Sequence, residues 1–196
     1  MAYTTIDDPT LYFQCKTYTG TGSAITETMD NIGWLWMKRR NSGIRNNLFD
    51  NARGGHYTGS GFKPIIVSDA NSASQGTDVD SAAKGVTFGA TQTIIGTDAA
   101  GYSYNVSGHD MVRWMWATGT SFSNDASATG VGSVDTAGTI SADAGFSIMT
   151  YTGVSGQQTI AHGLGAVPKM IMVKNLDSSE NWRVYHHSIG AGSYLK

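Results

Sequence analysis

Apolar residues in this chain come in short runs divided by Gly, Asn, Ser and Asp, and no window carries a long stripe with a 3.6-residue period. Leu11 to Thr19 reads as a strand that ends at Gly20-Thr21-Gly22. Ile32 to Lys38 is a nearly continuous apolar run, the pattern of a strand buried on both faces. Asn41-Ser42-Gly43 is a turn, and Arg45 to Phe49 supplies the second strand of a hairpin. Phe62 to Val67 is strand-like, with Pro64 confining it to an edge or a strand start. Gly85 to Phe88 and Thr91 to Ile95 are further short candidates. Met111 to Trp116 alternates: Val112, Trp114 and Trp116 share one face, and Met111, Arg113 and Met115 the other. Between Thr118 and Gly145 large apolar residues are few beyond Phe122. That stretch predicts a linker or an extended surface crossing, after which strand patterns resume at Phe146.

Composition strengthens the β assignment. Of 196 residues, 40% are hydrophobic but only 14% charged, with 25 Gly against 3 Pro. Helices with exposed faces need Glu, Lys and Arg to cover them, whereas short strands joined by Gly, Asn and Ser turns need far fewer. The expected fold is all-β, an antiparallel β-sandwich. A net charge of -2, with no basic cluster longer than Lys38-Arg39-Arg40, argues against a nucleic-acid partner. The single Cys15 cannot form an internal disulfide and is expected to be a small buried hydrophobe in a strand. The opening Met1 to Pro9 lacks a basic region and an apolar stretch, so no signal peptide is expected, and no segment has the apolar length of a membrane helix.

The chain is also self-similar. Phe13-x-x-x-Thr17-Tyr18-Thr19-Gly20 recurs as Phe146-x-x-x-Thr150-Tyr151-Thr152-Gly153, displaced by 133 positions. Trp34 to Lys38 recurs as Met170 to Lys174, Ser42 as Ser178, Leu48-Phe49 as Val184-Tyr185 and Gly54 as Gly190, all displaced by 136. This pattern predicts an N-terminal docking segment over 1–12, a first β module over 13–117, a Gly/Ser/Ala-rich linker over 118–145 and a partial second module over 146–196. Half a sandwich leaves an inner face bare, so the polypeptide is expected to continue past Lys196, or the partial copy to pack on another subunit or on the first copy.

Three segments resemble a repeat family of tailed, chiefly marine, phage virion proteins of tail-fibre-like character. The first is Trp36-Met37-Lys38-Arg39-Arg40, Ser42 and Leu48-Phe49-Asp50-Asn51-Ala52-Arg53-Gly54. The second runs from Gly145 to Gly153 and from His162 to Asn175, and the third is Trp182 to His186. The similarity spans about 13–62 and 102–196, while 63–101 departs from it, lacking a Tyr-Leu-x-Ser-Asn type segment. The resemblance implies a jelly-roll or concanavalin-like sandwich and a virion structural protein. A tail-fibre or adhesion component touching the host surface is the leading expectation, and a capsid decoration or head-fibre protein is the alternative. Other virion proteins, further copies in a trimer and a host-surface glycan are the partners so implied. The location so implied is the virion, after synthesis in the host cytoplasm.

Chemistry is sparse. No Gly-x-Ser-x-Gly elbow is present, since Thr58 and Phe62 flank Gly59-Ser60-Gly61, and no Gly-Lys-Ser/Thr marks a phosphate loop. A carbohydrate-active enzyme would need a carboxylate pair across a cleft, and none stands out among 15 acidic residues. Asp69, Asp78 and Asp80 match no defined calcium loop and read as solvated turn residues. No catalytic residue, cofactor or metal site is expected. His162, within His162-Gly163-Leu164-Gly165, reads first as a turn histidine bonded to backbone and second as a surface-binding residue. His186 and His187 are expected on opposite strand faces. Trp34, Trp36, Trp114 and Trp116 are expected in the core, leaving Trp182, in a polar context, as the candidate for stacking on a sugar ring.

Overall fold

A computed structural model describes residues 6–53, 65–68, 84–97 and 103–195. Short strands account for nearly all of the regular structure. In the N-terminal part these are β1 (Phe13–Thr19), β2 (Ile25–Glu27), β3 (Ile32–Arg39), β4 (Asn47–Asp50) and β5 (Ile66–Val67). Next come β6 (Val86–Phe88), β7 (Thr93–Ile95), β8 (Asp110–Ala117) and β9 (Thr120–Asn124). A one-turn helix α1 (Ala126–Thr129) precedes β10 (Thr136–Ser141), β11 (Phe146–Tyr151), β12 (Met170–Val173) and β13 (Arg183–His186). All their named pairings are antiparallel.

The main sheet has the order β1-β8-β3-β4-β5, and a small sheet β2-β7-β6 lies over one of its faces. Leu35, Met37, Phe49, Val67 and Met115 point into the space between them and meet Val86 and Ile95, with Ile25 and Phe88 at the margin. Each of these is a side chain whose burial is worth about 1.5–3 kcal/mol. The first half is therefore an antiparallel sandwich, as its alternation and low charge predict. Within β3 the register slips between Ile32 and Trp34, at Gly33. A Cβ on Gly33 would stand 1.7 Å from Thr118 Oγ1, so glycine is required for the two backbones to approach.

Three expectations need correcting here, and one strand was not anticipated. The stretch 118–145 is not a bare linker: β9 and β10 lie in it and join β11 in a sheet of order β11-β10-β9. Thr-rich strands need only ladder hydrogen bonds and a few apolar contacts. Here Phe122 and Ile140 supply them, packing on the backbone at Gly163. The four strand tryptophans are not in the core. Trp34, Trp36, Trp114 and Trp116 are half-buried and alternate with the buried Leu35, Met37, Arg113 and Met115, so they occupy the opposite face. Cys15 is exposed, because β1 is an edge strand and its Phe13, Cys15, Thr17 and Thr19 face is open. Strand β2 was not expected at all; Ile25–Glu27 is three residues long and too short to show a period.

Two hairpins share a pairing register. In the first half β3 pairs with β4 as Trp34↔Asp50, Leu35↔Phe49, Trp36↔Leu48 and Met37↔Asn47. Strands β12 and β13 pair as Met170↔His186, Ile171↔Tyr185, Met172↔Val184 and Val173↔Arg183, each pair displaced by 136 (170 against 34, 186 against 50). The flanking hydrogen bond follows the same displacement. Asn51 N–H donates to Gly33 C=O at 3.0 Å, and His187 N–H donates to Lys169 C=O at 2.8 Å. Beyond β4, Leu48 pairs with Ile66, and beyond β13, Val184 pairs with Leu195.

Candidate functional site

The outer face of the main sheet carries the most distinctive chemistry. Cross-strand register places Phe13 beside Trp116, Trp116 beside Trp34, and Trp114 beside Trp36. Ring centroids are 4.9 Å apart for Phe13 and Trp116, 4.9 Å for Trp34 and Trp116, and 5.9 Å for the edge-on pair Trp36 and Trp114. Such contacts add about 0.5–1.5 kcal/mol each beyond area burial. Phe146, from β11, stacks on Trp34 at 5.4 Å and on Trp116 at 5.9 Å, so the second sheet covers one end of this ladder. Trp36 Nε1 donates to Asn46 Oδ1 at 3.1 Å, which fixes its ring edge. Phe13, beside Trp116, remains 40% exposed, and further along the same face the half-buried Trp114 stands opposite the exposed Cys15. Rigid rings with polar neighbours can stack on flat apolar surfaces, including sugar rings.

The inner face holds a buried charge cluster. Glu27 in β2 accepts from Lys16 Nζ at 2.9 Å and is ion-paired with Arg113 Nη2. The Arg113 guanidinium also lies 4.2 Å from the centre of the Tyr18 ring. Glu27 and Arg113 are almost fully buried, so their pairing ties β2 of the small sheet to β8 of the main one. Arg113 Nε and Nη1 and the Thr93 hydroxyl, which sits on the residue opposite Glu27, have no hydrogen-bond partner among the described residues. Sequence reasoning placed Arg113 on the face of Met111 and Met115 but drew nothing from it. The signal was a charge in the middle of an apolar strand.

The predicted site residues lie apart. Trp182 is half-buried, and its indole N–H donates to the Val67 carbonyl at 2.9 Å. The ring is thus engaged on the edge strand β5 rather than presented as a free platform. His162 accepts at Nδ1 from Leu164 N–H at 3.2 Å, in a turn with Gly163 and Gly165 both in the left-handed region. It is the backbone-bonded turn histidine. The two C-terminal histidines are not on opposite faces, because β13 ends at His186 and a 3-10 turn begins at His187. Their rings are 4.8 Å apart. Asn105 is fully buried and donates to the Ser23 and Gly96 carbonyls at 2.6 and 3.2 Å. Asp69, Asp78, Asp80 and Gly59-Ser60-Gly61 lie outside the described residues.

An open cleft of about 480 Å³ runs along the β9-β10-β11 sheet, with Asp125, Asp135 and Tyr151 in its lining. Both carboxylates are committed to the local backbone. Asp125 caps α1, accepting from Ser127 Oγ at 2.7 Å and Ala128 N–H at 3.0 Å, and Asp135 accepts from Ala126 N–H at 2.8 Å. The hydrogen bond from the Ser127 side chain, then that from the Ala128 amide, holds the Asp125 carboxyl below its ordinary 3.8. No group of three or more His, Cys, Asp or Glu gathers among the described residues in a way that could hold a metal ion. No helix among them is long and apolar enough to cross a membrane.

A protein-family model described as a domain of unknown function (DUF7483) matches residues 8–196. No curated protein and no solved structure matches the chain.

Proposed function

We propose, for a chain that belongs to this family of unknown function, that it is a virion structural protein of a tailed phage, built from repeated β modules and serving as a tail-fibre or adhesion component. The observation that carries this is the shared register of β3-β4 and β12-β13, which follows the sequence displacement of 136 residue for residue. A tandem module that is regular in its strands and variable in its loops suits a protein that is repeated along a fibre. Weak surface contacts then multiply through avidity. The exposed ring of Phe13, at the edge of the aromatic ladder, offers a stacking surface of the kind a host glycan would meet. By analogy with fibres, the proposed assembly is a trimer.

Gold-labelled antibody against this chain, applied to intact virions and viewed by electron microscopy, tests the proposal. Label at the tail or along fibres is the expected result. Label spread over the capsid would replace adhesion with shell decoration, and absence of label from purified virions would overturn the virion role altogether.

A further inference from the structure

We propose that the β12-β13 hairpin is latched at both of its ends by a histidine that serves only in its uncharged form, so that acid loosens the hairpin while the first-half sandwich holds. The proposal rests on hydrogen bonds at two turns and stands whether or not the protein belongs to a virion.

The turn before β12 and the turn after β13 are built alike. Leu164 N–H donates to His162 Nδ1 at 3.2 Å, and Ser188 N–H donates to His186 Nδ1 at 3.3 Å. Each ring closes on the amide two residues ahead, as Asn175 Oδ1 does on Asp177 N–H at 2.9 Å. His186 is thereby the N-cap of the 3-10 turn His187–Ile189. An accepting ring nitrogen carries no proton, so both rings are neutral with their hydrogen on Nε2. Protonation makes Nδ1 a donor. It then sets N–H against N–H, and the bond that closes each turn becomes a repulsion. Imidazole is the side chain that changes charge between about pH 5 and pH 8.

What the two turns hold is the hairpin. On the entry side Gly163 stands against Phe122 and Ile140, and the Ala161 carbonyl accepts from Thr136 Oγ1 at 3.1 Å. These contacts pin the connection to the β9-β10-β11 sheet. On the exit side His187 N–H donates to the Lys169 carbonyl at 2.8 Å, closing the ladder just before β12 begins. Little apolar burial backs these bonds, since Met170 and Ile171 are both exposed. The bond from the Trp182 indole to the Val67 carbonyl does not titrate, so the hairpin stays tethered there.

Charge adds to the effect at the exit. The His186 and His187 rings are 4.8 Å apart, so two protons there repel. Met170 stands opposite His186, and the neighbouring ionisable groups are Lys169 and Arg183, the latter lying over Tyr194. At the entry turn the packed side chains are Phe122, Ile140 and Thr136. None of these groups is a carboxylate that would offset a new positive charge.

Amide spectra of the isotope-labelled full chain, followed from about pH 8 to about pH 5, test the proposal. The Leu164 and Ser188 amides are expected to shift as pH falls. Protection of Ile171 and Val173, corrected for intrinsic rates, should drop at least about tenfold while Leu35 and Met37 keep theirs. A His162→Asn/His186→Asn variant keeps an acceptor at each turn that takes up no proton, and is expected to lose this response. His162→Ala/His186→Ala is expected to show the loosened hairpin already at the alkaline end. In the wild type at that end, ring nitrogen spectra should place the hydrogen of His162 and His186 on Nε2. A hydrogen on Nδ1 of either ring, fixed Leu164 and Ser188 amides throughout, or an undiminished acid response in the Asn variant would overturn the proposal.

Discussion

Strands β3 and β12 hold their partners in the same register, yet they live in different surroundings. Leu35 is completely buried while Ile171, at the corresponding position, is 42% exposed. Phe49 is completely buried and Tyr185 only half-buried. The difference is not in the hairpin. It lies in what covers it: β3 has β8 along its edge and β2-β7-β6 over its face, and among the described residues β12 has neither. Register is set locally, by turn length and the pleat, whereas burial is set by segments distant in sequence.

The comparison can be broken most forcefully at the clamp between β2 and β8 in the first half. Glu27→Ala leaves Arg113 buried without its counter-charge and is expected to cost about 3–5 kcal/mol in urea unfolding. A Glu27→Leu/Arg113→Met double variant is expected to recover most of that, since a well-packed apolar pair can replace a buried ion pair. Leu35→Ala is expected to cost about 2–5 kcal/mol, and Ile171→Ala under about 1 kcal/mol, because only the first opens a cavity. Equal losses would show that the two hairpins are covered alike. Phe146→Ala, which uncovers Trp34 and Trp116, is expected to cost about 1–2 kcal/mol and to red-shift tryptophan emission.

The smallest effect is on pH. Asp125 has its carboxyl held below 3.8 in the folded chain, so its contribution is present above that value and is lost as pH falls through the folded value. Acid titration of wild type against Asp125→Asn should therefore show a slight divergence above pH 3.8 that closes below it. The carboxyl is fully exposed, so a difference that persisted at pH 2 would assign the effect to the cap geometry instead of the charge.

Much of this was legible in the chain. Low charge and short apolar runs pointed to antiparallel β structure, and β1, β3, β4 and β8 fall where those runs and the turns between them put them. The faces did not follow as well. Trp34, Trp36, Trp114 and Trp116 are large and apolar, and hydrophobicity assigned them to the core. Leu35, Met37 and Met115 took it, because a thin second sheet with Val86 and Ile95 closes over that side. Nothing local reveals which face another sheet will cover. Strands β9 and β10 were hidden for a related reason. Their stability comes from pairing with β11 and from small contacts such as Thr136 Oγ1 to the Ala161 carbonyl at 3.1 Å. A window of Thr, Ala and Gly shows neither. Trp182 looked exposed because its neighbours are polar, but its partner, Val67, is 115 residues away.

Native-state amide exchange, followed residue by residue in the full chain, tests the central claim of equal register and unequal cover. Leu35 and Met37 bond to β4 as Ile171 and Val173 bond to β13, so their amides are equivalent reporters. The prediction is that Leu35 and Met37 exchange only by global unfolding. Ile171 and Val173 should be protected but exchange through local opening, at least about a hundredfold faster. Protection of Ile171 equal to that of Leu35 would contradict the unequal cover, and no protection at all would contradict the shared register.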